Sequence, residues 1–503
     1  MLPNDLRDRY PMNKCPLHPP RPKTATQEAT EPPCASFSNI PGPPTFDKVK
    51  FRVDNHHYIT SLHEKYGDII RVASQDEGRK WMVYVRNPST VKHVLMSETL
   101  FDKTFADADN NSSSYLQYFK NLVQPLFANA SIFGSNKNVV QPQRQNLKKA
   151  FSASPELLPG FKRAIERSLT LWPDTGTEKM DVVPVLHRMV FNAVMVCMAG
   201  DDVEVEESNT LFQACSECLV HFQGRYSKPL FDEQINDADE FWMRKVEMAG
   251  MDVMHVIKEK HTEETLSGLA EISLIGVMQQ FGLSDAETNA TMLNALFAAC
   301  EAPVQILVSL LSELSQRPGT QEKLYSEVSA MEKTEEGIDN LYFDTSLLND
   351  CVMESLRRFA PVTLVQRCTT QDTALDGFNV PKDTVVGICI AAVHANEQYF
   401  PEPTTFNPCR QGLDMVILNA ENGGFMPFSS GPRGCPGRYL AATIMKMCTA
   451  CIVSKYKVKV CTGSTNVLPE TTAVIHKFVE FPMTGIFVGL EPRQLDVARR
   501  SRL

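Results

Sequence analysis

The sequence predicts a mainly α protein with a minor β region, and three observations carry that reading. Apolar residues recur at helical spacing through most of the chain from Gln141 to Phe359. Strand-like pieces are few and short. No internal repeat appears, and no shift in composition marks a second domain boundary after residue 44. With 503 residues and 43% hydrophobic content, the chain can bury a large core.

The first 44 residues hold 11 of the 32 prolines and carry mixed charge, the composition of a disordered or linker-like segment. It ends in Pro41-Gly42-Pro43-Pro44. Residues 45–503 read as one domain. Ser61–Tyr66 reads as a helix end, followed by strands at Asp68–Ser74 and Lys80–Val85 around a polar turn. Pro88 to Met96 reads as a short helix with proline near its start. The stretch from Asp107 to Asn138 is rich in Asn and Ser, as suits a functional loop. Helical patterns then cover Gln141–Gly200, Leu211–Tyr226 and Asp239–Lys260. Ser284-Asp285-Ala286-Glu287 is a capping box opening a long helix to about Leu314. More helices reach Phe359. Short strand pieces follow near Leu375–Asn379 and Thr384–Ile390, then a helix from Arg438 to Val453 and final strands.

Net charge is −10 with no long basic run, which argues against nucleic-acid binding. The 14 cysteines are scattered and read as reduced thiols of an intracellular, cytosol-like compartment. Two C-x-x-C pairs, Cys215/Cys218 and Cys448/Cys451, lie in helical patterns and read as packed helix cysteines. No stretch of 18 or more uncharged apolar residues predicts a single membrane-spanning helix, and peripheral membrane contact stays open. Asp5, Asp8, Glu28 and Glu31 argue against a transit peptide.

The chemistry concentrates in Phe428-Ser429-Ser430-Gly431-Pro432-Arg433-Gly434-Cys435-Pro436-Gly437. The cysteine sits just before a helix, where unpaired N–H groups and the positive end of the dipole favour thiolate, the form that ligates iron. Gly431 and Gly437 permit a tight loop and close approach to something flat. Arg433 can pair with a carboxylate, such as a haem propionate.

This loop resembles the haem-binding loop of the cytochrome P-450 superfamily, F-x-x-G-x-R-x-C-x-G, at all five specified positions. The resemblance implies that family's fold, with haem b held between a long central helix and the cysteine-bearing loop. It makes Phe428, Gly431, Arg433, Cys435 and Gly437 cofactor-binding residues and Cys435 the axial iron ligand. Residues 45–503 then form one haem domain, and Pro41–Pro44 resembles the hinge that follows the membrane anchor in eukaryotic members. Glu354-Ser355-Leu356-Arg357 matches E-x-x-R, and Phe406-Asn407-Pro408-Cys409-Arg410 matches F-x-P-x-R. In the family this buried triad braces the cysteine loop. Arg144, seven residues before Phe151, resembles the propionate arginine of W-x-x-x-R, with Val140 at the Trp position. Arg367 resembles a second propionate arginine.

The long helix departs from the family. It reads Ala298-Ala299-Cys300-Glu301-Ala302-Pro303 where the pattern is A-G-x-[DE]-T. Ala302 removes the hydroxyl that relays protons with the acid. Pro303 deletes a backbone bond to Ala299, which predicts a kink and a gap for water. Apolar neighbours predict that Glu301 is buried and unpaired, a proton donor with a raised pKa.

The resemblance implies a monooxygenase that places one oxygen atom of dioxygen into an apolar small molecule such as a sterol, fatty acid or terpenoid. Glu301, beside Ala302, is the catalytic acid. A flavin reductase or ferredoxin supplies electrons, steered by a basic patch of Lys148, Lys149, Arg438 and Lys446. The pocket is lined by residues 107–138, Ala298, Ala302, Val362 to Val365, Val474 and Ile475. The missing threonine keeps a second reading open: a haem-thiolate enzyme that uses peroxides or rearranges oxygenated lipids. A third is a non-catalytic haem binder.

Overall fold

The computed structural model describes residues 34–102, 144–331, 346–461 and 487–493, with short interruptions. The first half of the chain builds sheet edge, then helix. Helix α1 (Asn55–Tyr66) leads into β1 (Ile69–Ala73) and β2 (Trp81–Val85), which pair antiparallel with Ile69 opposite Val85. Helix α2 (Pro88–Met96) starts at the proline, capped by Asn87, whose side chain accepts from the Ser89 and Thr90 N–H groups. A two-residue strand β3 (Phe101–Asp102) follows.

Helix α3 (Leu158–Leu169) and the mostly buried α4 (Val182–Ala199) flank β4 (Thr177–Asp181), a polar strand inside a region read as continuous helix. Asp181 caps α4, and Gly200 ends it at φ +94°. Then come α5 (Glu206–Tyr226), α6 (Asp237–His261), α7 (Leu274–Gln280) and the central α8 (Asp285–Ser315). The expected capping box is present in full at Ser284 and Glu287. Helix α8 runs uninterrupted through Pro303.

Helices α9 (Pro318–Met331) and α10 (Leu347–Arg358) precede β5 (Leu364–Thr369), which the sequence pattern does not mark as a strand and which carries Arg367. Strands β6 (Thr373–Leu375) and β7 (Phe378–Val380) form a hairpin. Asp376 and Gly377 both have positive φ at its turn, 52° and 80°, the Asp-Gly chemistry of a type I′ turn. Strand β8 (Val385–Cys389), α11 (Ile390–His394), α12 (Arg438–Lys455), β9 (Tyr456–Val460) and β10 (Phe487–Pro492) complete the order.

One five-stranded sheet has the order β1-β2-β8-β5-β3 and a three-stranded sheet the order β4-β10-β9. Helix α8 lies at the centre of the helical layer, packed against α4, α6, α10 and α12. Helices α4 and α8 are long and apolar enough to cross a membrane, but 72% of each such window is buried inside the protein. Cys215, Cys218 and Cys448 are core residues of this layer.

The predicted linker boundary at residue 44 needs correction. Residues 1–33 lie outside the described residues, but 34–44 are docked on the sheet. Ala35 bridges Phe378, Ile40 is buried, and the Arg71 N–H donates to Pro41 O at 2.8 Å. A Cβ on Gly42 would sit 1.8 Å from the Arg71 carbonyl oxygen, so only glycine allows this approach.

Candidate functional site

The bracing triad is closed in space. Arg357 donates to both carboxylate oxygens of Glu354, Nε at 2.7 Å and Nη2 at 2.8 Å. Arg410 Nε reaches both oxygens at 3.3 Å, and the Asn407 N–H adds a bond at 3.1 Å. Side-chain exposure is 0% for Glu354 and 1% for Arg357. The remaining guanidinium donors go to backbone: Arg357 to His394 O and Pro403 O, Arg410 to Pro401 O. Such charges tolerate burial only because each is satisfied.

From the triad a chain of bonds leads to the cysteine through His394, a residue the sequence reading did not single out. Its Nδ1 lies 3.1 Å from the Arg357 carbonyl, which can only accept, so Nδ1 carries the hydrogen. Its Nε2 then accepts from the Met426 N–H at 3.0 Å. Burial, and secondly the Arg357 charge, push its pKa down to about 3, so the ring is neutral. The Ser429 N–H donates to Met426 O at 2.9 Å, and the Cys435 N–H to Phe428 O at 2.8 Å. Phe428 packs against the main core.

Gly431 has φ +73°, and a Cβ there would meet the Leu95 carbonyl oxygen at 2.3 Å. That glycine is required by the approach of α2 to the loop. Gly437 is different: no heavy atom lies within 3.9 Å of its built Cβ. A Cβ there would rest in ordinary van der Waals contact with the Phe151 ring. Burial raises the Cys435 thiol pKa; the Gly437 N–H, Arg438 and Arg144 pull it down without prevailing. The Gly437 N–H and the two guanidinium groups favour the thiolate, and burial opposes it.

Three predicted arginines converge on this loop and all are buried: Arg144, Arg367 and Arg433. Arg144 donates to the Gly434 carbonyl. Arg433 Nη2 lies 3.2 Å from Asp102, and its Nε 3.7 Å from Glu98. Those two acids were not anticipated. Burial first, then the Arg433 charge, lowers the Arg367 pKa to about 10. Three buried guanidinium groups beside two carboxylates leave net positive charge here, which suits an anionic group such as a propionate.

In α8, Met292 to Phe297 are buried, and so are Pro303 and Val304. Between them Ala298 is exposed, and Ala299, Cys300, Glu301 and Ala302 are partly accessible. Val362, Leu364 and Val365 also keep accessible surface.

Two expectations fail here. Glu301 is not unpaired: its Oε1 lies 3.3 Å from His187 Nε2 on α4. The basic patch is not as drawn, because Lys446 is buried in α12; Lys148 is exposed and Arg438 partly so. Residues 107–138, Val140, Lys149, Val474 and Ile475 lie outside the described residues.

The fold is mainly helical, with a long core helix, a braced cysteine loop and a buried arginine cluster beside that loop. The cytochrome P450 family model matches residues 43–480, and the chain belongs to that family. Relatives include rat cytochrome P450 4F1, 26% identical over 56% of this chain and 58% of that one. Mouse leukotriene-B4 omega-hydroxylase 3 is also 26% identical, with the same coverage. The matched stretches span somewhat over half the length of these relatives. The crystal structure of the haem domain of a cytochrome P450DA mutant superposes with a TM-score of 0.67, covering 91% of this chain and 98% of that one. At 17% identity it shows the shared fold.

Proposed function

We propose that this protein is a haem-thiolate monooxygenase that places one atom of dioxygen into an apolar small molecule and releases the other as water. The observation carrying this reading is the Cys435 loop, braced through His394 by the Glu354–Arg357–Arg410 triad, in which Glu354 and Arg357 are buried. Haem b, when bound, supplies the activation of dioxygen. Cys435 is its ligand, Arg144, Arg367 and Arg433 take its propionates, and Gly431 and Gly437 shape the loop around it. Glu301 passes a proton to the reaction, and Ala302 leaves room for water where the family has a hydroxyl. Ala298, Ala302 and Val362 to Val365 line the substrate side. The name of the mouse relative supports a lipid substrate, within the class of fatty acids, sterols and terpenoids. Electrons come from a flavin reductase or ferredoxin.

A second reading, a peroxide-using or lipid-rearranging enzyme, is favoured by one observation: Ala302 offers no hydroxyl. The two separate in a single assay. Holoprotein is given a candidate lipid with reductase, NADPH and isotopically labelled dioxygen, and in parallel with an organic hydroperoxide. Labelled, NADPH-dependent product is expected. Product from hydroperoxide alone would reject the monooxygenase reading.

A further inference from the structure

Between α4 and α8, His187 and Glu301 meet, Nε2 to Oε1 at 3.3 Å. Neither side chain is sealed off: 22% and 21% of their surfaces stay accessible, so water reaches the pair.

The chemistry of the partners fixes the proton count. His187 Nδ1 lies 3.1 Å from the Val183 carbonyl oxygen. A carbonyl only accepts, so Nδ1 bears a hydrogen. The other nitrogen then faces a carboxyl group. Two lone pairs opposed at this distance repel, so one proton lies between Nε2 and Oε1. The pair is either imidazolium with carboxylate or imidazole with carboxylic acid.

The surroundings decide between these forms. Burial pulls the His187 pKa down. The Glu301 charge and hydrogen bond, the Val183 bond and Asp181 at the start of α4 together outweigh it, and the net direction is upward. Cys215 from α5 and Cys300 on α8 face Glu301; burial raises both thiols, so they stay neutral and do not compete for the proton. The resting pair is imidazolium–carboxylate. Ala302 is the next residue along α8, where the family's hydroxyl is missing.

Building on the monooxygenase reading, we propose that His187 is a positioning residue for proton delivery. The His187–Glu301 pair stores one proton between α4 and α8 and releases it through Glu301 to pocket water, in place of the absent hydroxyl. The overall reaction takes substrate, dioxygen, NADPH and a proton to hydroxylated product, water and NADP⁺. The pair is neither oxidised nor reduced, and it regains its proton from solvent.

Two measurements on the holoenzyme test this. The first needs no turnover. In the diamagnetic reduced, carbon monoxide-bound form with ring-labelled histidine, NMR titration should show His187 with a midpoint above that of an ordinary histidine. Glu301→Gln should lower its midpoint by a unit or more. An ordinary histidine midpoint, equal in both proteins, would overturn the shared proton. The second compares wild type with His187→Gln, whose amide can bond Glu301 but cannot carry the extra proton. Product per NADPH should fall five- to tenfold, with hydrogen peroxide rising to match. The pH dependence of coupling should flatten. The loss should exceed any loss in hydroperoxide-driven turnover at least fivefold, whereas a merely structural role lowers both alike. Unchanged coupling with an unchanged pH profile would overturn the delivery role. A wild type that works only with hydroperoxide overturns the monooxygenase reading and the delivery role together, while the titration judges the shared proton separately.

Discussion

Replacing Glu354 by alanine tests whether the loop is braced as described. The carboxylate takes two bonds from Arg357, two contacts from Arg410 and one from the Asn407 N–H. Its removal strands two guanidinium groups whose side chains are 1% and 10% exposed. Breaking a buried pair from one side costs about 3–5 kcal/mol. Unfolding entropy of about 2.1 cal/mol/K per residue, taken over 503 residues, comes to roughly 1 kcal/mol/K. The loss therefore shifts Tm by about 3–5 °C, read by circular dichroism on the purified protein. Haem content per chain should fall as well, because His394 and Met426 carry the disturbance to the loop. The control is Lys162→Ala, which removes a surface pair to Glu166 at 3.7 Å and costs under about 1 kcal/mol. If Glu354→Ala behaved like that control, with full haem content, the triad would not be the brace.

Acid should destabilise the fold through two histidines. His394 and His63 have pKa values pushed to about 3 and about 4, mainly by burial. The unfolded state takes up their protons first, so stability present above pH 6.5 is lost as pH falls. Each accounts for roughly 2 kcal/mol between pH 7 and 5, and His394→Gln should flatten that slope in denaturant titrations. Gly431→Ala should cost more than about 2 kcal/mol, from positive φ and the Leu95 carbonyl. Gly437→Ala should leave the apoprotein's Tm unchanged yet weaken haem uptake in an absorbance titration; equal uptake would remove Gly437 from the haem face. Ala302→Thr should raise product per NADPH by restoring a hydroxyl beside Glu301. Tight coupling already present in wild type would show that pocket water and the His187 pair suffice.

Features written in local sequence were legible. The proline start of α2, the capping box of α8 and the helix after Cys435 each depend on residues within one or two turns. The triad was legible too, because three residue types at a characteristic order and spacing coincide. What escaped were pairings across the fold. His187 lies 114 positions before Glu301, and nothing local marks it as more than a histidine in an apolar helix. His394, Glu98 and Asp102 meet their partners only once the sheet and α10 are assembled. Lys446 was misjudged because a lysine at helical spacing reads as surface, yet its helix face packs inward. Strand β5 mixes Gln366 and Arg367 with apolar residues and lacks clean alternation. Strand β4 is too polar to stand out. The 34–44 segment looked like a linker because proline and glycine also serve close docking on a sheet.

The central claim, that Cys435 is the thiolate ligand of a bound haem, is tested most directly by one spectrum. The reduced protein with carbon monoxide should show the strongly red-shifted Soret band of thiolate ligation, and Cys435→His should move it to the position of nitrogen-ligated haem. A red-shifted band that survives the substitution, or one absent from the wild type, would contradict the account.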